Sequence, residues 1–165
     1  NYMDVIKLDI SIDIQKIINE IETLEYDDQI CLQGFSKEMD PFYGSRRINE
    51  FENSFQETDF DVFLFDNLKY LNSIISKLNM KRTRIMRFKP KTCLSWHHDL
   101  SWRIHIPIIT NESCFLLIDR TSHHLSAGHA YKVNTMKWHT ALNASFDERI
   151  HIVGVSDNNG SQVTL

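Results

Sequence analysis

The residues with the clearest chemical potential are His97 and Asp99, in the run Trp96-His97-His98-Asp99, with His139 and then Arg149 following further along the chain. Two imidazoles and one carboxylate are the ligand set of a facial triad that binds Fe(II) and leaves coordination positions open for chemistry. In an extended strand, residues i and i+2 share a face, so His97 and Asp99 can reach one ion while His98 points away. His139 can join them from any strand folded back against the first. Arg149 lies ten residues beyond His139, enough for a strand end, a turn through Asn143, Ser145 and Asp147, and the start of the next strand. A guanidinium presents a rigid fork that grips a carboxylate bidentately. Arg149 could therefore hold the far end of a dicarboxylic cosubstrate whose near end chelates the metal. 2-Oxoglutarate has that shape.

The elements that must position these groups are legible mainly in the second half of the chain. From Thr83 onward short β-type runs follow one another: 84–88, 93–98, 102–109, 114–119, 129–133, 137–142 and 149–156. Turn residues separate them, as in an antiparallel sandwich or barrel. Parity gives a definite expectation. Arg103, His105 and Pro107 share one face of their strand and should line a cavity, while Ile104, Ile106 and Ile108 pack on helices outside it. Arg149, His151 and Val153 alternate likewise with Ile150, Ile152 and Gly154. In the first half, Ile14, Ile17, Ile18, Ile21 and Leu24 predict an amphipathic helix of about three turns, with Ser11 or Asp13 as its N-cap. A second helix is expected from Phe65 or Asp66 to Leu78. Between them residues 27–57 read as a long polar excursion holding Gly34, Pro41, Gly44 and the pair Arg46-Arg47, with one short strand around 30–32. Long excursions in compact domains are often functional.

From about Arg84 to Asp157 the chain resembles the aspartyl/asparaginyl β-hydroxylase group of Fe(II)/2-oxoglutarate-dependent oxygenases, which includes small proline hydroxylases. The resemblance is carried by an ordered set: His97-His-Asp99, Arg103-Ile-His105-Ile-Pro107, Gly128-His-Ala-Tyr, His139-Thr-Ala-Leu-Asn143 and Arg149-Ile-His-Ile-Val. It implies a mainly β fold with backing helices, a double-stranded β-helix of the jelly-roll, cupin-like kind. It also implies Fe(II) on His97, Asp99 and His139, with 2-oxoglutarate and O2 as cosubstrates. The distal carboxylate of 2-oxoglutarate would meet Arg149 and His105. Arg103 resembles a position that contacts a substrate carboxylate, and it could equally be a counter-ion for Asp99. The hydroxylase for which the group is named lacks the carboxylate ligand, whereas Asp99 is present here, in the manner of the proline hydroxylases. The implied activity is hydroxylation of an amino acid or of an Asp/Asn/Pro-type residue, with 2-oxoglutarate decarboxylated to succinate. The substrate, a small molecule or a peptide, is expected to carry a carboxylate. Two alternatives stay open: a metal-dependent cupin enzyme that uses no 2-oxoacid, and a non-catalytic jelly-roll module that binds a small anion.

Composition fits a single oxygenase domain over residues 1–165, with 1–82 as helical and loop support and 83–157 as core strands. Hydrophobic content of 42% and charged content of 24% are ordinary for a globular protein. A net charge of −4 gives no indication of nucleic-acid binding. The basic runs around Lys81 to Arg84 and Arg87 to Lys91 read as solvated strand edges. Cys31, Cys93 and Cys114 form no C-x-x-C pair and suggest a reducing compartment. No apolar run approaches the roughly 20 residues needed to cross a bilayer, and no charged-then-apolar leader is visible, so a cytoplasmic location without membrane attachment is expected. The remaining histidines, 98, 123, 124, 129 and 151, read as non-ligands, and Trp96, Trp102 and Trp138 as core.

Overall fold

The structure, a computed structural model, describes residues 3–43 and 55–156. Gly44, Arg46, Arg47 and Asp157 lie outside the described residues. The elements in chain order are β1 Val5–Lys7, α1 Ile14–Ile21, β2 Gln29–Cys31, β3 Gln33–Gly34, a 3-10 turn Glu57–Asp59, β4 Val62–Phe63, α2 Lys69–Lys77, β5 Met80–Phe88, β6 Thr92–Cys93, β7 Arg103–Ile109, β8 Cys114–Ile118, β9 Thr121–His123, β10 Tyr131–Val133, β11 His139–Asn143 and β12 Arg149–Ser156.

The larger sheet has strand order β1-β10-β7-β12-β5-β2, and the smaller β6-β11-β8-β9, with all pairings antiparallel. β3 and β4 form a separate two-stranded ribbon. The resulting architecture is a double-stranded β-helix of the cupin type, backed by helices. Strands β1 and β2, from the first half of the chain, supply both edges of the larger sheet, so that half does more than back the barrel.

Strand parity divides the larger sheet as its sequence predicts. Ile104, Ile106, Ile108, Ile150 and Ile152 pack with Ile17, Ile21, Leu71 and Ile75 of the two helices in the main core. The opposite face turns toward the smaller sheet, where Phe88, Leu116, Ile118, Tyr131, Val133 and Ala141 close one part of the interior. Gly154 on the helix side admits Met80 and Thr83 so closely that a Cβ there would lie 2.7 Å from the Met80 side chain.

Both helices are shorter than their apolar spacing suggests. Asp13 caps α1, its carboxylate accepting from Lys16 N at 3.2 Å, and the helix covers about two turns. α2 begins at Lys69 because its capping group comes from the other helix: the Glu20 carboxylate accepts from Tyr70 N at 2.6 Å and Leu71 N at 2.9 Å. Of the three tryptophans only Trp102 is buried; Trp96 and Trp138 are about half exposed. The same alternation that turns His97 and His139 inward turns these neighbours outward, and His98 meets Trp138 edge-on there at 4.9 Å. Cys31, Cys93 and Cys114 are free thiols.

Candidate metal and cosubstrate site

His97 and His139 come together through the backbone. They form an isolated antiparallel bridge, His97 N donating to His139 O at 3.0 Å and His139 N to His97 O at 2.8 Å. Residues directly opposite one another in such a pair project to the same face, and the two rings lie 4.4 Å apart between centroids. Asp99 is tied down by its own N–H, which donates to Thr135 O at 2.9 Å. The expected strand over 93–98 is reduced to β6 and this bridge, but the i, i+2 projection of His97 and Asp99 survives.

The three side chains offer ligand atoms that all lie within 4.8 Å of one another. His97 Nδ1 is 2.7 Å from the carbonyl of Ser95, and His139 Nδ1 is 2.9 Å from that of Lys137. A carbonyl can only accept, so both Nδ1 atoms carry the hydrogen and both Nε2 lone pairs are left for the centre. Those Nε2 atoms stand 3.9 Å and 3.6 Å from the carboxylate oxygens of Asp99. Burial lowers the His139 pKa below its ordinary value, which keeps the ring neutral and its lone pair available. Two imidazoles fixed by carbonyls around one carboxylate fit a divalent first-row metal.

The cavity that holds this cluster runs along the inner face of the larger sheet to Arg149. That guanidinium is 2% exposed and lies over the Phe88 ring at 4.3 Å. Its Nη2 donates to His151 Nδ1 at 2.8 Å, and no carboxylate among the described residues pairs with it. Burial pushes its pKa down to about 10, so it still carries its charge at neutral pH. His105 lines the cavity two strands' width from β5, and its Nδ1 is 3.1 Å from His151 Nδ1. Arginine has donors only, so His151 Nδ1 accepts, and His105 Nδ1 is in turn a donor. Burial first, and the neighbouring Arg149 charge second, hold both histidines well below the usual pKa. Asn143 shapes the turn that delivers Arg149: its Nδ2 donates to Asp147 O at 2.8 Å and its Oδ1 accepts from Ser145 Oγ at 2.6 Å.

Arg103 sits at the other end of the cavity. Its Nη2 donates to Glu57 Oε1 at 2.9 Å, its Nη1 to Glu57 Oε2 and to Ser101 Oγ, and its Nε lies 3.6 Å from Asp99 Oδ2. The counter-ion contact with Asp99 is thus present, and the fork expected to face a substrate acid is engaged by Glu57. Glu57, in the 3-10 turn at the end of the polar excursion, is a site residue that sequence reasoning missed. Its signal was indirect: several arginines on one inner face require a carboxylate. The basic run Lys81 to Arg84 is only in part a solvated edge. A bulge between Val153 and Val155 places Arg82, with φ +48°, 3.5 Å from Glu57. Arg84 lines the cavity with Nη1 donating to Gln29 Oε1 at 3.2 Å and with Nε unpartnered. Arg87 is directed away, to Tyr26 O at 2.9 Å and to Glu148 at 3.2 Å.

Several solved structures are similar in fold. They include a cupin domain from Bordetella pertussis Tohama I (19% identity, covering 46% of this chain and 80% of that one, TM-score 0.40). A Cupin 2 conserved barrel domain protein from Salinispora arenicola CNS-205 is similar at 15% identity, covering 46% and 61%, with a TM-score of 0.39. A Pseudomonas putida prolyl-4-hydroxylase is similar at 13% identity over 89% of this chain and 96% of that one, with a TM-score of 0.38. Comparison with curated proteins finds no match. The sequence model described as aspartyl/asparaginyl beta-hydroxylase matches residues 64–154, more than half of the chain and the whole stretch from β5 to the glycine of β12. With that match added to the cluster of His97, Asp99 and His139 in a cupin-type barrel, the chain belongs to the aspartyl/asparaginyl β-hydroxylase family.

Proposed function

We propose that the protein is an Fe(II)- and 2-oxoglutarate-dependent hydroxylase. The observation that carries this reading is the pairing, in one cavity, of a His–His–carboxylate cluster with a buried arginine that has no carboxylate partner among the described residues. An uncompensated buried cation costs several kcal/mol. A fold keeps such a group where a ligand brings the opposite charge. A metal-dependent cupin without a 2-oxoacid would leave Arg149 idle, and a simple anion-binding module would leave the cluster idle.

His97, Asp99 and His139 would hold the iron, and Arg149 the distal carboxylate of 2-oxoglutarate. When bound, Fe(II) with 2-oxoglutarate and O2 supplies the oxidising chemistry, with succinate and CO2 as by-products. The protein's part is placement. Phe88 supports the flat face of Arg149, Asp99 holds its carboxylate between the two imidazoles, and apolar side chains such as Leu94, Leu116 and Ala141 keep water from the wall. His105 reaches the same carboxylate as a hydrogen-bond donor if it takes up a proton, because its Nδ1 hydrogen is already directed at His151. The substrate would be an amino acid or an Asp/Asn/Pro-type residue bearing a carboxylate, received at the Arg103 end. Arg84, with unfilled hydrogen-bonding capacity, lies in the same wall, and a bidentate grip by Arg103 needs Glu57 to release it.

The test is O2-dependent conversion of 2-oxoglutarate to succinate by the iron-loaded protein, without and with a panel of free amino acids. Succinate is expected, and His97→Ala should abolish both its formation and tight iron binding. Iron binding with no succinate under any condition would favour the cupin alternative; absence of iron binding would remove the metal reading altogether.

A further inference from the structure

We propose that His151 is the positioning residue for the cosubstrate arginine: a neutral tether that orients the Arg149 guanidinium without cancelling its charge. The inference rests on the 2-oxoglutarate reading above and adds a residue that neither the metal cluster nor the Arg149 assignment requires.

His151 follows Arg149 by two residues on β12, so the two side chains share the inner face of the strand. His151 Nδ1 accepts from Arg149 Nη2 at 2.8 Å and lies 3.1 Å from His105 Nδ1. One nitrogen therefore ties together the two groups expected at the distal carboxylate. The His151 ring is 3% exposed, and its Nε2 is buried with no partner among the described residues. With Nδ1 accepting, a neutral ring carries its hydrogen on Nε2, so this buried donor goes unsatisfied. Leaving a buried polar atom unpaired is costly, and an apolar residue in that position would avoid the cost. What the histidine supplies in return is an acceptor aimed at Arg149.

The type of acceptor matters as much as its place. Asp or Glu in this position would also orient the fork, but the ion pair would neutralise the cation that has to meet an incoming carboxylate. A neutral acceptor fixes one edge of the guanidinium while its remaining N–H groups and its full charge stay available. Phe88 supports the flat face of the same group, so ring and imidazole together restrict both tilt and rotation. Without the tether the guanidinium would keep its charge and lose its aim.

The experiment compares His151→Leu and His151→Asn, with Fe(II) loaded anaerobically and 2-oxoglutarate titrated against the visible absorption of the iron chelate. The same titration is run on metal-free protein by calorimetry. Asn keeps a neutral acceptor, Oδ1, at the distance of Nδ1 along the side chain; Leu keeps bulk and removes the acceptor. The expected result is 2-oxoglutarate binding about tenfold or more weaker in His151→Leu, restored to within about threefold of wild type in His151→Asn, with iron affinity the same in all three. Equal weakening in both variants, or undiminished 2-oxoglutarate affinity in a folded His151→Leu protein, would overturn the proposal. A wild-type protein that binds iron but shows no 2-oxoglutarate chelate would instead defeat the cosubstrate reading itself, a different failure from the loss of the tether.

Discussion

The two histidines beneath Arg149 make acid stability a property of individual residues. His105 and His151 are buried, and both have pKa values held well below the ordinary 6.5. Above that pH neither the folded nor the unfolded chain protonates them, and they impose no cost. As pH falls through about 6.5 the unfolded chain binds protons that the fold refuses, so stability declines until the folded pKa is reached. Each group contributes a slope of up to about 1.4 kcal/mol per pH unit in that window. Urea unfolding of the metal-free protein between pH 7.5 and 5 should show this decline, and His151→Leu should make it shallower; an unchanged slope in that variant would mean that His151 is not held neutral. At this scale the sequence was readable where chemistry fixes residue type. The spacing of His97, Asp99, His139 and Arg149, taken with the family resemblance, singles them out, and the structure brings all four to one cavity. His151 reads in the sequence as a non-ligand, although it shares a strand face with Arg149, because nothing in its type distinguishes a tether from an ordinary strand histidine. Glu57 could not be found, since it lies at the end of a polar stretch without a period of its own, 46 residues before the Arg103 it contacts.

At the scale of elements, the period-2 strands were legible and the boundaries of the helices were not. β12 occupies the expected 149–156, and β7 runs from Arg103 to Ile109 within the expected 102–109. Alternation sorted their inner and outer faces because one side meets helices and the other a polar cavity. β1, β3, β4 and β9 are two or three residues long, too short to leave a period. Helix α2 starts late because its cap is Glu20, which no local pattern shows. Removing that carboxylate leaves two amide donors without a partner. Glu20→Ala should therefore cost about 1–2 kcal/mol of stability, read as a lower urea midpoint. Iron affinity should be unchanged, because α1 and α2 pack on the face of the sheet opposite the cavity. A Glu20→Ala protein as stable as wild type would show that the cap contributes nothing net.

In the whole molecule, one cavity joins two groups at separate points: the His97, Asp99 and His139 cluster assembled by the smaller sheet and the segment before β7, and a guanidinium supplied by β12 of the larger sheet. Barrel closure is what brings them into register. No helix among the described residues is long and apolar enough to cross a membrane. The most direct test of the central claim is anaerobic titration of the metal-free protein with Fe(II) and then 2-oxoglutarate, followed by the visible metal-to-ligand charge-transfer band, in wild type and in Arg149→Ala. The expected result is one iron per chain, the band in wild type, and in Arg149→Ala a band that needs at least about tenfold more 2-oxoglutarate while iron binds as before. A variant that loses iron first, or one that forms the chelate as readily as wild type, would contradict the division of labour between the cluster and Arg149.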